Sequence, residues 1–448
     1  MKQKFARVLT AFAVAFTLFL PTFPAQAAVY EPDFEMDSPQ EGILLLSLDT
    51  GQVLFEQNAD TKMAPASLTK IMTTILALEN TENWEEETAT APDYIYDEFV
   101  GLNVSTANIL RGEQLTIQQL VYAMMLESAN EGASVVADHF GGGSIEKFCQ
   151  MMNQKATELG CTNTHFVNPH GLDADNHYST PRDMAKIAQY ALSLPNFSEV
   201  CESSRYTIPQ TNKQGPRTLV TTVLMQDRIR GGGGIYSPYI KGIKTGTTDN
   251  AGRCVVTRYQ NNGKDFLLVI MGAPMEGTQN RAFLLANKLF SWADKNFTLK
   301  TPLKEGEAVH QVKVAHSFQT DNLLLQAGSD VSLLMPTSAD ESSVQLVVTL
   351  DSEKVAAPVE KGQKMGTVTL KLGGEPIGET TLVAAESVKR STLLWVVDSI
   401  NGLLATTAAK VILILLGLAV AAYVVYVVLA IRREKKKRRI KRNRKYKM

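Results

Sequence analysis

Pro65-Ala66-Ser67-Leu68-Thr69-Lys70-Ile71-Met72-Thr73 is the stretch on which the reading of this chain turns. A helical apolar pattern runs over Ser67–Leu78, just after Pro65, and proline is a common entry signal for a helix. A spacing of three sets Ser67 and Lys70 on one helical face, amine beside hydroxyl. A serine is a poor nucleophile until a base or a shifted pKa stands next to it. A helix N-terminus adds free N–H groups and a positive dipole end where an oxyanion would form. Alone, the spacing proves little, since Ser144-Ile145-Glu146-Lys147 repeats it with no evident role.

Two further triplets change the weight of the first. Ser128-Ala129-Asn130 falls where a second helical run, Thr116–His139, breaks, so its side chains are expected to project from a loop. It has a look-alike in Ser399-Ile400-Asn401. Lys244-Thr245-Gly246 ends the apolar stretch Ile240–Ile243 and occurs once. A lysine and a threonine at the rim of a strand can hold a carboxylate, and the glycine lets substrate backbone approach closely. The order of the three motifs, their separations of 61 and 116 residues, and their helix, loop and strand contexts join weak signals into a strong one.

Outward from these motifs, Gly42–Glu56 reads as two apolar strands around an Asp-Thr-Gly turn. Ile145–Leu159 and Pro181–Leu194 extend a helical middle portion. Strand-like text returns at Ile240–Thr245, Gly252–Tyr259 and Phe266–Gly272, and Arg281–Phe290 reads as a closing helix. Strands at both ends enclose helices, an α/β (α+β) layout in one sheet. After about Thr301 the texture changes to short strands (Ala308–Val314, Asn322–Leu325, Val331–Met335, Val344–Leu350, Thr367–Leu372) separated by turn residues, a small all-β module.

The 448 residues carry 45 Lys+Arg and 46 Asp+Glu, a net charge of −1 that hides segregation. From Arg432 to Met448, 12 basic residues face one acid, and residues 1–27 hold three basic residues and none that is acidic. The span between, 28–431, is left with 30 basic and 45 acidic residues, or −15. An acidic body of this kind does not point to nucleic acid. The N-terminus has a basic start, an apolar run Val8–Leu20, Pro21 and small residues at Ala25 and Ala27, the layout of a signal peptide cleaved after Ala27. Val411–Ile431 is 21 residues without a charge, long enough to span a bilayer, and the basic cluster that follows is expected in the cytoplasm. Ser391–Leu404 sets Leu393, Trp395, Val396, Val397, Ile400, Leu403 and Leu404 among polar residues, the pattern of an amphipathic interfacial helix. The expected location is the cell membrane, single-pass, with residues 28 to about 409 outside.

Cys149, Cys161, Cys201 and Cys254 allow three complete pairings. With no CxxC and no His-rich cluster, buried free thiols are the preferred reading, and neither a metal nor another cofactor is expected.

Ser-x-x-Lys, Ser-x-Asn and Lys-Thr-Gly together resemble the motif set of penicillin-binding proteins and serine β-lactamases. Longer strings narrow the resemblance: PASLTKIMT (65–73), LVYAMMLESANEGASVVA (120–137), THFVNPHGLDADNHYSTPRDMAKIA (164–188) and YIKGIKTGTT (239–248). They look like the low-molecular-weight penicillin-binding proteins that are D-alanyl-D-alanine carboxypeptidases, over about Pro39–Trp292. APVEKGQKMGTVTLKLGGEPIGETTLVA (357–384) is similar, more loosely, to the β-domain that follows in that family.

The resemblance implies a transpeptidase-like catalytic fold acting on peptidoglycan stem pentapeptides and trapped covalently by β-lactams. It implies Ser67 as nucleophile, Lys70 as general base, Ser128 as proton shuttle, and Asn130 holding the substrate amide. Lys244, Thr245 and Gly246 would orient substrate, the N–H groups of Ser67 and Thr247 would form the oxyanion hole, and Arg281 would meet the terminal carboxylate. His170 is read as a structural residue of its loop. The implied organisation is signal peptide 1–27, linker 28–38, catalytic domain 39–296 and β-domain 297–385, then a juxtamembrane amphipathic segment 386–410, transmembrane helix 411–431 and basic tail 432–448. Two neighbouring chemistries stay open, D,D-endopeptidase action on cross-links and β-lactamase action on the same fold. The Glu-x-x-Leu-Asn pentapeptide that class A β-lactamases use in deacylation does not occur between Asn130 and Lys244.

Overall fold

The structure is a computed structural model that describes residues 31–35, 38–232, 234–276 and 280–445. The proposed signal peptide lies outside the described residues. The chain divides into two compact units. One takes the chain up to Pro302 with Val331–Leu346 and Leu370–Gly378, and the other takes Leu303–Asp330, Val347–Thr369 and Glu379 onward.

In the first unit a five-stranded antiparallel sheet is built from β1 (Gly42–Ser47), β2 (Val53–Gln57), β7 (Ile240–Thr248), β8 (Gly252–Asn261) and β9 (Lys264–Ala273), in the order β2-β1-β9-β8-β7. The run Gly-Ile-Leu-Leu-Leu is apolar without alternation because both faces of β1 are covered. Leu44 and Leu46 enter a core shared with the helical layer, whereas Ile43 and Leu45 enter a second core on the opposite face. β9 alternates likewise, Leu267, Val269 and Met271 to the first core and Phe266, Leu268 and Ile270 to the second. Fully burying each such side chain contributes about 1.5–3 kcal/mol.

Two short hairpins, β3 (Thr88–Thr90) with β4 (Gln114–Thr116) and β5 (Arg205–Ile208) with β6 (Arg217–Val220), border the helical layer. That layer holds α1 (Lys70–Asn80), α2 (Ile117–Leu126), α3 (Asn130–Phe140), α4 (Ile145–Glu158), α5 (Pro181–Ser193) and α6 (Phe197–Glu202). Their starts follow local rules: Thr116 and Gln119 form a capping box on α2, and Thr180 caps α5 with Pro181 behind it. Ser144, in the sequence look-alike, caps α4 by accepting from the Lys147 N–H. The other face of the sheet is covered by α7 (Arg281–Asn296).

The β-rich remainder comprises β10 (Phe297–Leu303) paired with β13 (Val331–Pro336), and a sheet of β11 (Ala308–Ala315), β12 (Asn322–Ala327), β14 (Gln345–Leu350), β15 (Lys354–Ala356), β16 (Lys364–Leu372) and β17 (Glu375–Ala384), ordered β14-β16-β17-β12-β11-β15. Helix α8 (Thr392–Ala405) and the long α9 (Thr407–Lys445) follow. Within α9, Thr407–Arg438 is long and apolar enough to cross a membrane. The four cysteines are buried free thiols, their pKa values raised by desolvation.

Candidate active site

Between Pro65 and α1 the chain makes a 3-10 turn, Ala66–Thr69, so Ser67 stands one turn ahead of the α-helix and not inside it. Ala66 opens this turn with a φ of +47°, outside the range of helical backbone. A left-handed non-glycine residue costs about 1–2 kcal/mol, and such strain collects where a side chain must be aimed. Two glycines enclose it. A Cβ on Gly171 would sit 1.8 Å from the Ala66 carbonyl oxygen, and one on Gly246 would sit 3.0 Å from the Ala66 Cβ and from the Ser67 nitrogen. The glycine of Lys-Thr-Gly is thus required by the approach of the serine's own turn to β7.

Lys70 is fully buried, and its Nζ has three oxygen neighbours: Ser67 Oγ at 3.0 Å, Asn130 Oδ1 at 2.7 Å and the His170 carbonyl at 2.6 Å. An amide oxygen and a peptide carbonyl can only accept, so they take two N–H bonds. A neutral amine has two, which leaves its lone pair for the serine O–H. Desolvation first, then the neighbouring charge of Lys244, hold the Lys70 pKa well below the usual range, with Glu131 acting the other way. Geometry and electrostatics agree on a lysine able to accept the serine proton.

The other motifs close around this pair. Ser128, with φ of +61°, lies in the link between α2 and α3, and it is buried. Asn130 does not project from a loop, because it is the first residue of α3, fixed there by its N–H to the Ser105 carbonyl at 3.0 Å. Lys244 is buried on β7, the edge strand of the sheet; its Nζ donates to the Thr245 carbonyl at 2.9 Å, and burial brings its pKa down to about 7. Thr245 Oγ1 donates to Thr222 Oγ1 at 2.7 Å, and Thr247 Oγ1 donates to the Gly246 carbonyl at 2.7 Å. Ser67 and Thr245 are partly exposed and Thr247 is exposed, above a floor of buried lysines.

A loop behind α1 locks the base in place. Thr73 Oγ1 donates to the Pro169 carbonyl at 2.6 Å, next to the carbonyl that holds Lys70. His170 accepts the Leu172 N–H at Nδ1, so Nε2–H donates to Glu98 at 3.2 Å. Both ring nitrogens are thus engaged in the loop, and desolvation lowers the ring's pKa. His177 accepts the Val167 N–H at Nδ1, which leaves Nε2–H to donate to Thr69 Oγ1 at 2.9 Å. Burial pushes the pKa of His177 down to about 3.

Arg281 is placed differently. It is the first residue of α7 and lines a cleft with Phe34, Glu41, Leu284 and Lys288, a lining that contains none of the three motifs. Sequence reasoning missed the His170 carbonyl and Thr222. The string NPHGLD carries a signal for the first, whereas nothing in the text marks the second. Among the described residues no group of His, Cys, Asp and Glu is arranged to hold a metal.

A serine whose turn packs against an edge strand beside a buried low-pKa lysine defines an acyl-transferring serine enzyme. A family description of D-alanyl-D-alanine carboxypeptidases matches residues 27–275, and that of the penicillin-binding protein 5 C-terminal domain matches residues 297–390. The chain belongs to the D-alanyl-D-alanine carboxypeptidase family and is a serine-type D-Ala-D-Ala carboxypeptidase. It is 30% identical over 355 residues to the D-alanyl-D-alanine carboxypeptidase DacA of Escherichia coli (78% of this chain, 83% of that one). It is 29% identical over 362 residues to DacF of Bacillus subtilis (80% and 88%). Penicillin-binding protein 5 of Haemophilus influenzae superposes with a TM-score of 0.64 at 26% identity, covering 78% of this chain and 97% of that one. These likenesses establish the fold as an α/β catalytic domain followed by a β-domain.

Proposed function

We propose that this enzyme removes the terminal D-Ala of peptidoglycan stem pentapeptides through an acyl-enzyme on Ser67. The observation that carries the mechanism is the Lys70 amine, 3.0 Å from the Ser67 hydroxyl with its two N–H bonds committed elsewhere. Ser67 gives its proton to Lys70 as Oγ attacks the carbonyl of the penultimate D-Ala. The oxyanion is received by the N–H groups of Ser67 and Thr247. Collapse breaks the peptide bond, and the proton passes from Lys70 through Ser128 to the departing D-Ala amine. Water then attacks the ester, again giving its proton to Lys70, and restores the serine.

Asn130 holds the substrate amide, while Lys244, Thr245 and Gly246 seat the chain along β7. The case for Arg281 as a partner of the terminal carboxylate rests on the resemblance of its sequence surroundings. Penicillin enters the same cycle, acylating Ser67 and remaining bound.

The enzyme is held at the cell membrane by α9, with the catalytic unit outside and the basic tail in the cytoplasm. This reading is supported by 21 uncharged residues followed at once by 12 Lys+Arg.

The test is D-Ala release from diacetyl-Lys-D-Ala-D-Ala by the full chain in detergent, alongside labelling by a fluorescent penicillin. Wild type releases D-Ala and carries the label, whereas Ser67→Ala does neither. Equal release by Ser67→Ala would sink the assignment, and rapid penicillin hydrolysis would favour the β-lactamase reading.

A further inference from the structure

The β-module holds α8 through one loop. His316 Nε2 and Asp398 Oδ2 are 2.9 Å apart, the Ser391 N–H donates to the His316 carbonyl at 2.7 Å, and the Lys389 N–H donates to Gln319 Oε1 at 2.8 Å. Arg390 stacks over the Trp395 ring at 5.0 Å. His316 has a φ of +61°, and its Nδ1 is shielded from solvent with no hydrogen-bond partner. A residue kept in a strained backbone region with an unsatisfied nitrogen marks a joint that its surroundings hold in place.

At 100° per residue, Leu393, Val396, Val397, Ile400, Leu403 and Leu404 form one stripe of α8, and Asp398 lies roughly 160° from its centre. All six are exposed, from 40% to 67%. The joint therefore grips the polar side of the helix and leaves the apolar side open, while His316 pairs with the helix's single acid. Phe318, between the two anchoring residues His316 and Gln319, is 72% exposed.

What covers this surface follows from connectivity. Only Thr406 separates α8 from α9, and four residues later the uncharged run begins at Val411. At about 1.5 Å per helical residue, the end of α8 lies about 10 Å from the hydrocarbon boundary, within the headgroup layer. Lys389, Arg390 and Lys410 flank it.

We propose that α8 and the loop His316–Asp321 form one platform seated on the outer leaflet of an anionic bilayer, with Phe318 as a second, non-helical insertion point held there by the His316–Asp398 joint. This rests on reading α9 as a membrane span. The wedge and the helix face enter the interface together, and the three basic side chains meet lipid headgroups.

The test uses the full chain reconstituted in phosphatidylcholine–phosphatidylglycerol vesicles. Phe318→Trp in a Trp395→Phe background places an indole reporter on the loop, and Val397→Trp in the same background places one on the apolar stripe of the helix, with Trp84 and Trp292 as a buried background. Lipids brominated near the headgroup are expected to quench the loop indole to an extent comparable with the helix indole, while aqueous iodide quenches it weakly. His316→Ala and Asp398→Ala are each expected to abolish the lipid quenching of the loop indole and preserve that of the helix indole. Strong iodide quenching of the loop indole with no lipid quenching overturns the proposal, as does lipid quenching that both joint variants leave unchanged. Failure of the span reading shows separately, as release of the protein from vesicles by alkaline carbonate.

Discussion

Asn130→Asp tests the proposed role of Lys70 with almost no change of shape. The substitution keeps an acceptor oxygen 2.7 Å from Nζ and replaces an amide by a carboxylate. Two unit charges at that separation attract by about 6 kcal/mol at an effective dielectric of about 20. Burying the new carboxylate costs several kcal/mol. If half of the attraction survives, about 3 kcal/mol favours the ammonium, which lowers the free-amine fraction about 10²-fold.

The sign is fixed by the mechanism. Only the free amine accepts the serine proton, so raising its pKa depletes the active form at any pH below that value. The rising limb of the acylation profile then moves to higher pH. The assay is the second-order rate of acylation by a chromogenic β-lactam across pH, with thermal unfolding as the control for folding. A variant that acylates more slowly by the same factor at every pH would refute the reasoning, since Asn130 would then act on substrate alone. An unchanged rate and profile would refute it outright.

Three other outcomes are expected. Gly246→Ala forces the turn at Ser67 away from β7, because the new methyl would lie 3.0 Å from the Ser67 nitrogen; acylation should fall by about 10², and an undiminished rate would show that the turn yields freely. His177, ordinarily near 6.5 and held at about 3 when folded, contributes stability that is full above pH 6.5 and is lost as pH falls toward 3. At up to about 1.4 kcal/mol per pH unit, unfolding of the catalytic unit followed by near-UV circular dichroism should show wild type losing about 2 kcal/mol between pH 6.5 and 5, with a flatter curve for His177→Gln. Arg281→Ala should raise KM for a D-Ala-D-Ala peptide about tenfold or more, the value of a charged hydrogen bond, and leave a C-terminally amidated peptide unaffected; equal loss on both would exclude carboxylate contact.

The parts of this molecule that could be read from its text are those carried by side-chain type and period. The apolar runs around Asp49-Thr50-Gly51 told of two paired strands, and the three motifs told of a serine site. The parts that could not be read depend on backbone. The third partner of Lys70 is a peptide carbonyl, and every residue has one. The left-handed turn at Ala66, against the local preference of alanine, is packed against Gly171 and Gly246 from distant segments. Asn130 was expected in a loop because the helical run breaks there, yet Asn130 begins α3 and the break is Glu127–Ala129. Ser144 and Lys147 share the spacing of Ser67 and Lys70 but serve only as a helix cap.

The acceptors that configure Lys70 come from 60 and 100 residues further along the chain, and the glycine that seats Ser67 comes from position 246. No fragment that ends short of β7 can assemble the nucleophile. An unfolded chain is therefore chemically silent, and its serine is an ordinary alcohol until the last strands of the sheet close. With Ser67 acylated by penicillin as proposed, covalent labelling doubles as a clock: the time from the start of refolding to first label measures how long the catalytic unit takes to fold.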